Sequence, residues 1–250
     1  IMEQYLACIN RAIDDGSFFV NEAISGAFNH AQKNNSRLHL IGLLTSGTVH
    51  ADFSHIVALL ELAHQKNLSE VYLHLFLDGK DSGLQEAPSL LEKLLLEIQA
   101  KGYGKIATLI GRNFAMDRDN NWELTKRAYQ LLTEAAGEKT ADFISTIKKY
   151  YGLGRNDANM SAMVVENSNF AGISDNDALI FFNFREDSMR QIIKPFIEHD
   201  FKLFPKKDAK NIFLCTMTPY LENPDLHIAF VLPMVTNGLS EVLELSGKKQ

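Results

Sequence analysis

The chain has 250 residues, of which 46% are hydrophobic and 22% are charged, and both shares are typical of a globular protein. These values exclude intrinsic disorder, collagen-like sequence and coiled coil. The longest apolar runs, such as 178–182, are far too short to span a membrane, so no membrane segment is expected. The length suits one large α/β unit.

The charge balance argues against a nucleic-acid partner. The chain carries 25 Lys and Arg against 31 Asp and Glu, a net charge of −6, whereas nucleic-acid binding usually needs a basic face. A small anionic ligand is compatible with this balance, because a few local arginines can outweigh the global field. Cys8 and Cys215 show no metal or redox spacing, and no charged-then-apolar leader is seen. These features predict a cytoplasmic protein with two core thiols.

Apolar residues recur at helical or strand spacing along most of the chain. Predicted helices cover 11–13, 21–33, 53–65, 88–101, 122–136, 140–151, 187–199 and 239–245. Predicted strands cover 38–44, 71–77, 105–110, 163–165, 178–184, 211–216 and 228–232. This alternation predicts an α/β fold with a mostly parallel central sheet and helices on both faces, a three-layer sandwich. His39 and His74 fall inside strands and are expected to be hydrogen-bonded core residues.

Charged side chains follow four of the predicted strands. The residues concerned are His50, Lys80, Asp81, Arg112, Arg118 and Arg185. The carboxyl ends of adjacent parallel strands share one rim, where ligands of open α/β sheets normally bind. Guanidinium groups match the oxygens of phosphate and carboxylate, and an aspartate can accept hydroxyl protons. The pattern therefore favours a phosphorylated hydroxy acid. The alternative is that these are ordinary solvated loop residues, with Asp117 and Asp187 capping helices.

Several segments resemble cofactor-independent phosphoglycerate mutase, in order and with similar spacing over nearly the whole chain. The most specific is Gly-Arg-Asn-Phe-Ala-Met-Asp-Arg-Asp at 111–119. The other segments are Ile9-Asn-Arg-Ala-Ile-Asp-Asp-Gly-Ser-Phe-Phe19, 38–50, Phe76-Leu-Asp-Gly-Lys-Asp81, Phe181-Phe-Asn-Phe-Arg-Glu-Asp187, Thr216-Met-Thr218 and Leu239-Ser-Glu-Val-Leu243. The resemblance implies a two-domain protein. One domain holds two manganese ions and a serine nucleophile, and the other is inserted into it and binds the substrate.

This chain resembles the inserted domain with short overhangs. The resemblance implies a hinge and leading segment over 1–20, the substrate-binding α/β domain over 21–232, and a second hinge with the start of the metal domain over 233–250. It implies no cofactor, no metal ligand and no catalytic nucleophile within this chain. The two manganese ions belong to the full-length family enzyme. The chain alone is therefore expected to be inactive.

The resemblance also assigns substrate-binding residues, motif by motif. They are His50, Lys80, Asp81, Arg112, Arg118, Arg185 and Ser188. Two of these depart from the family. Lys80 stands where arginine is usual, which keeps the charge and loses the planar fork. Ser188 stands where the second arginine of an Arg-x-x-Arg pair is expected, and one lost charge-assisted contact costs about 1.5–3 kcal/mol. Arg190 should point away from position 188 and not replace that arginine.

The leading hypothesis is the substrate-binding domain of an isomerase that interconverts 3-phosphoglycerate and 2-phosphoglycerate in glycolysis. Its implied partner is its own metal-binding, phosphatase-like domain, in a monomer without nucleic acid or membrane. An alternative is a stand-alone or degenerate phospho-ligand-binding module without catalytic activity. The altered loop 45–48 (the family commonly reads Ser-Asp-Gly-Gly before Val-His) and Ser188 favour that alternative. A third hypothesis is an inactive scaffold that binds no phosphoglycerate.

Overall fold

The structure, a computed structural model, describes residues 4–232. Its helices are α1 (Tyr5–Asp15), α2 (Glu22–Asn34), α3 (Phe53–Gln65), α4 (Ala87–Lys101), α5 (Arg112–Ala115), α6 (Trp122–Glu134), α7 (Phe143–Gly152) and α8 (Arg190–Ile197). Its strands are β1 (Leu38–Leu44), β2 (Val71–Leu77), β3 (Lys105–Gly111), β4 (Glu138–Thr140), β5 (Met163–Val165), β6 (Ala178–Phe181), β7 (Phe213–Thr216) and β8 (Leu226–Ile228). Short 3-10 turns lie at Ser17–Val20, Asp157–Asn159 and Glu166–Ser168.

Within the described residues, eight strands form one sheet in the order β4-β5-β3-β2-β1-β6-β7-β8. All neighbouring pairs are parallel except β3 and β5, which run antiparallel. The strand order reverses direction beside β1, since β2 and β3 follow on one side and β6 and β7 on the other. The prediction of a mostly parallel sheet is confirmed.

The helices cover both faces of the sheet. The connections through α3 and α4 step from β1 to β2 to β3, whereas α8 connects β6 to β7 in the opposite direction. Right-handed crossovers therefore place α8 on the face opposite α3 and α4. α2 lies beside α3, since Gln32 Nε2 donates to the Lys66 carbonyl at 2.6 Å, and α6 contacts α8. This arrangement is the three-layer sandwich expected from the sequence.

The central strands are rigidly held because they are buried from end to end. Every residue of β1 and of β2 is buried, as their continuous apolar runs require in a sheet covered on both faces. Each fully buried leucine or isoleucine contributes about 1.5–3 kcal/mol of transfer free energy. The carboxyl ends of these strands are therefore fixed relative to one another, and so are the loops that follow them.

Several boundaries differ from the predicted ones, mostly at the sheet edges. Residues 138–140 form β4, whereas residues 138 and 139 were predicted in no element and 140 as the start of a helix. The helix α7 starts after Asp142, whose carboxylate accepts from Ser145 N at 3.0 Å. β6 ends at Phe181, because beyond it the Asn183 side-chain oxygen, in place of a backbone carbonyl, accepts from Leu43 N at 2.8 Å. The last described strand is Leu226–Ile228, not 228–232. The helix predicted at 239–245 lies outside the described residues.

The predicted helix 11–13 lies within a longer one, α1, which buries Ile9. Across residues 4–232, no helix combines the length and the apolarity that crossing a membrane would require.

Candidate functional site

The loops that follow β1, β2, β3 and β6 surround one cavity of about 660 Å³. These four strands are neighbours in the sheet and parallel, so their carboxyl ends meet at one rim. The structure brings to this cavity every residue singled out from the sequence. They are His50, Lys80, Asp81, Arg112, Arg118, Arg185 and Ser188. Their common location is a property of the fold, and their role in binding a substrate stays a prediction.

Arg112 forms the deepest cationic part of the cavity wall. It is the first residue of α5, directly after β3, and only 8% of its surface is exposed. Its Nη1 donates to the carboxylates of Asp78 and Asp81, both at 2.5 Å. The guanidinium group is therefore neutralised on the sheet side, and it joins the end of β3 to the loop after β2.

Asp78 ties three strand ends together, and the sequence analysis did not select it. Its buried carboxylate accepts from the Thr45 hydroxyl, from Arg112, and from the backbone N–H groups of Lys80 and Asp81. Burial alone would raise the pKa of Asp78, but the hydrogen bonds from Thr45 and Arg112 outweigh it and hold the pKa below its ordinary value. Asp78 is therefore an ionised anchor beneath the cavity.

Gly47 allows the loop after β1 to approach the loop after β2. A Cβ atom at position 47 would lie 2.1 Å from the carbonyl oxygen of Asp81, a distance too short for any residue with a side chain. Gly47 N also donates to the Thr45 hydroxyl oxygen at 2.8 Å. Although loop 45–48 departs from the family pattern, it therefore keeps the one glycine that this close approach requires.

Arg118 and Arg185 lie at the mouth of the cavity and share one carboxylate. Both donate to Asp187 Oδ2, from Arg118 Nη1 at 2.5 Å and from Arg185 Nη2 at 3.1 Å. Burial would raise the pKa of Asp187, but the two guanidinium groups lower it overall, so it is ionised. Two positive charges face one negative charge here, and both arginines keep unused N–H groups toward solvent.

His50 is buried at the back of the cavity, only 4% exposed. Its Nδ1 lies 3.0 Å from the Ser188 hydroxyl oxygen, and its Nε2 lies 3.6 Å from Asp81 Oδ2. Burial lowers the pKa of His50 to about 4, with a further contribution from the Arg112 guanidinium. At neutral pH His50 is therefore an uncharged imidazole, not a fifth cation.

Lys80 and Ser188, the two departures from the family, differ in exposure. Lys80 is exposed at the rim and makes no ion pair with any residue in the described range 4–232. Ser188 is 2% exposed and contacts His50. Arg190 does not replace the missing arginine, as expected, because it pairs with Glu186 at 3.2 Å and does not line the cavity.

Asp187 is a second residue whose role the sequence analysis missed. The alternative interpretation made it a helix cap, yet α8 begins three residues later and Asp187 instead holds the two mouth arginines. Asp117, the other proposed cap, does accept from Asn121 N at 2.8 Å, just before α6. Asp187 lies between two arginines in space, and no spacing along the chain could reveal that position.

The cavity combines guanidinium donors, an exposed ammonium, a neutral imidazole and the Asp81 carboxylate. Such a set suits a small ligand that carries phosphate or carboxylate oxygens together with a hydroxyl group. In the part of the chain that the structure describes, no group of three His, Cys, Asp or Glu side chains is placed to hold a metal ion. The molecule is thus an α/β domain with a cationic cavity at the point where its strand order reverses.

Comparisons with known proteins agree with this description. The family model for the BPG-independent PGAM N-terminus matches residues 9–222. The 2,3-bisphosphoglycerate-independent phosphoglycerate mutase of Listeria welshimeri is 40% identical over 254 residues, covering all of this chain and 50% of that protein. A phosphoglycerate mutase of the same description from Methanosarcina barkeri is 41% identical and is covered to 49%. This chain belongs to the family of BPG-independent PGAM N-terminal domains.

The fold has a solved counterpart. A crystal structure of Leishmania mexicana phosphoglycerate mutase at low cobalt concentration superposes with a TM-score of 0.89 and 23% identity. The match covers 99% of this chain and 47% of that one. The chain therefore spans about half the length of the phosphoglycerate mutases it matches, in sequence and in structure.

Proposed function

We propose that this chain is the substrate-binding domain of a cofactor-independent phosphoglycerate mutase that interconverts 3-phosphoglycerate and 2-phosphoglycerate. One observation carries the proposal: four adjacent parallel strands deliver three arginines, a lysine, a histidine and an aspartate to a single cavity. Both ligands are small and carry a phosphate, a carboxylate and a hydroxyl group. Family membership and the mutase relatives at 40–41% identity support the same function.

In this proposal the domain positions the ligand and neutralises its charge. The unused N–H groups of Arg118 and Arg185 bind phosphate or carboxylate oxygens at the mouth, and Lys80 adds a point charge. Asp81 accepts from a ligand hydroxyl, and Arg112, fixed by Asp78, holds Asp81 in place. Precise placement of both reacting oxygens lowers the entropic part of the barrier.

In the full-length enzyme, a serine nucleophile and two manganese ions would supply the phosphoryl-transfer chemistry. We assign them to the metal-binding, phosphatase-like domain that the family resemblance implies for the full-length protein. Closure of that domain over the cavity would retain the glycerate between the two transfers. The chain alone is accordingly proposed to be inactive. We also propose hinges at 1–20 and 233–250 around the domain 21–232, and a cytoplasmic, glycolytic monomer.

Titration calorimetry with 3-phosphoglycerate tests the proposed binding. We expect saturable binding to this chain, and Arg185→Gln should weaken it by roughly 10- to 150-fold, the equivalent of one charge-assisted hydrogen bond. The matched control is Arg190→Gln, since Arg190 is also a half-exposed arginine paired with a nearby carboxylate but lies outside the cavity. Absence of binding, or equal losses in both variants, would contradict the proposal.

A specific observation favours a second candidate, a phospho-ligand-binding module outside any enzyme. At position 188 the cavity has a buried serine where the family has an arginine, and so one cation fewer. The gene distinguishes the candidates. A reading frame that continues into a segment rich in Asp and His supports the mutase, and a frame that stops supports the module.

A further inference from the structure

The Ser188 side chain lies in the inner wall of the cavity and is almost completely buried. The residue is 2% exposed, and His50 Nδ1 at 3.0 Å is the contact that its side chain makes among the described residues. The backbone N–H of Ser188 donates separately to Asp187 Oδ1 at 2.9 Å. A hydroxyl group has one proton to donate, and a buried proton without an acceptor costs about 1–3 kcal/mol. Within residues 4–232, the acceptor in reach of this proton is the ring nitrogen of His50.

The protonation state of His50 makes this contact directional. A neutral imidazole has one protonated nitrogen, which donates, and one bare nitrogen, which accepts. If Nδ1 carried the proton, it would donate to Ser188, and the serine proton would have no acceptor among the described residues. If Nε2 carries the proton, Nδ1 accepts from Ser188, and both the serine proton and Nδ1 have a partner. Pairing of the Ser188 hydroxyl proton therefore favours the Nε2–H form of His50.

The other side of the ring leads to the same form. Nε2 lies 3.6 Å from Asp81 Oδ2, and a carboxylate oxygen attracts an N–H and repels a nitrogen lone pair. Asp187 Oδ1 lies 4.0 Å from Nδ1, beyond hydrogen-bonding distance. That carboxylate is also engaged by Arg118, Arg185 and the backbone N–H of Ser188. Of the two carboxylates, the nearer one favours the proton on Nε2, but at 3.6 Å it is too far to fix that form without the hydrogen bond from Ser188.

We propose that Ser188 is a positioning residue that donates to His50 Nδ1, holds His50 in its Nε2–H form, and so presents an uncharged N–H donor to the ligand. The 3.6 Å gap to Asp81 is longer than a hydrogen bond, so Nε2–H is not consumed by that carboxylate and can donate to a ligand oxygen in the cavity. The ligand consequence rests on the proposed function, whereas the orientation of the imidazole proton does not.

The serine at position 188 thereby has a physical role of its own. An arginine there would add a cation to the cavity, while the serine adds no charge and instead controls a neighbouring donor. Compared with a cavity that has an arginine at position 188, this one binds its ligand with one charge fewer and with one more fixed hydrogen bond from an uncharged donor. A hydroxyl side chain at position 188 is the requirement, so threonine should serve and alanine should not.

Nitrogen NMR of the chain labelled with ¹⁵N-histidine tests the orientation of the proton without any ligand. His50→Gln identifies the His50 signals by their loss. In the unmodified chain at about pH 7 we expect His50 to have a protonated Nε2 and a bare Nδ1. Ser188→Ala should produce a mixture of the two forms, and Ser188→Thr should restore the single form. The matched control is Ser168→Ala, which removes a buried hydroxyl that donates to the Val165 carbonyl, away from the cavity.

A protonated Nδ1 in the unmodified chain, or a single unchanged form in Ser188→Ala, would overturn the inference. Calorimetry with 3-phosphoglycerate adds the ligand consequence: Ser188→Ala should bind about three- to tenfold more weakly, and Ser188→Thr about as tightly as the unmodified chain. Equal affinity in the alanine variant would overturn that consequence. Failure of the unmodified chain to bind 3-phosphoglycerate would count against the proposed function, and the NMR result would still decide the inference.

Discussion

Two clusters of histidine, arginine and aspartate lie on the same sheet, and they differ in how completely their hydrogen bonds are satisfied. One is the cavity site around His50 and Arg112. The other, here called the closed network, consists of Arg37, His39, His74, Thr108 and Asp177. In the closed network the imidazole and hydroxyl donors have acceptors inside the protein. In the cavity site, guanidinium and imidazole N–H groups remain unused.

The closed network is a chain of directed hydrogen bonds across three strands. His39 Nε2 donates to Asp177 at 3.1 Å, His74 Nε2 donates to His39 Nδ1 at 2.9 Å, and Thr108 donates to His74 Nδ1 at 2.9 Å. Asp177 also accepts from Arg37 at 2.7 Å. Burial lowers the pKa of both histidines, so they are neutral. The predicted role of His39 and His74 as hydrogen-bonded core residues is confirmed.

Position along the strands separates the two clusters. Asp177 directly precedes β6, and His39 is the second residue of β1, so this network lies in the part of the sheet that helices and strands enclose. His50 and Arg112 come after strand ends, where loops leave room for a ligand. The same residue types therefore act as structure inside the sheet and as a candidate site beyond its carboxyl edge.

The largest effect on the free energy of unfolding is expected from removing the charged carboxylate of the closed network. Asp177→Ala removes the carboxylate that accepts from Arg37 and His39 and leaves those donors without this partner. The free energy of unfolding in urea should fall by about 3–5 kcal/mol. Asp225→Ala is the control, because the Asp225 side chain is 67% exposed, and its effect should stay within about 0.5 kcal/mol. Equal effects in the two variants would show that the network does not stabilise the fold.

A pair of buried threonines provides a smaller and more sharply controlled test. Thr108→Val removes the donor to His74 Nδ1 with almost no change of shape and should lower the free energy of unfolding by about 1–3 kcal/mol. Thr216 is equally buried, but its hydroxyl has no hydrogen-bond partner among the described residues. Thr216→Val should therefore be neutral or stabilising. If Thr216→Val lowered the free energy of unfolding as much as Thr108→Val, the loss at Thr108 could not be attributed to its hydrogen bond.

The contrast also explains which parts of the fold could be predicted from the sequence. β1 and β2 are buried on both faces, so their composition alone marks them as strands. β4 was missed because Glu138-Lys-Thr140 has no apolar alternation and forms a strand only through pairing with β5. β6 was predicted too long, because the apolar run continues past Phe181, where the Asn183 side chain replaces the backbone hydrogen bonds between the strands.

The candidate site was predictable in outline and not in its supporting contacts. The strand-end rule and the family resemblance together named seven of the residues that line the cavity, since both depend on residue type and order along the chain. Asp78 and Asp187 were missed, because their role is to accept hydrogen bonds from residues on other loops. Such contacts have no period and no fixed spacing, so only the folded structure reveals them.

A third effect concerns the cavity histidine and the dependence of stability on pH. The pKa of His50 is about 4 in the folded chain against 6.5 as the ordinary value, so the unfolded chain takes up this proton first. The stability that His50 contributes is therefore complete above about pH 6.5 and is lost as the pH falls toward 4. The slope is about 1.4 kcal/mol per pH unit. Across this window His50→Gln should flatten the pH dependence of urea unfolding by that amount.

The control is His199→Gln, because the His199 side chain is 96% exposed and meets solvent in the folded and the unfolded chain alike. Its removal should leave the slope unchanged. His74→Gln separates the two clusters: it should also flatten the slope, but it should lower stability at neutral pH as well, since it breaks the closed network. If His50→Gln lowered stability at neutral pH as much as His74→Gln, His50 would support the fold to the same extent as His74. The distinction between an open site and a closed network would then fail at His50.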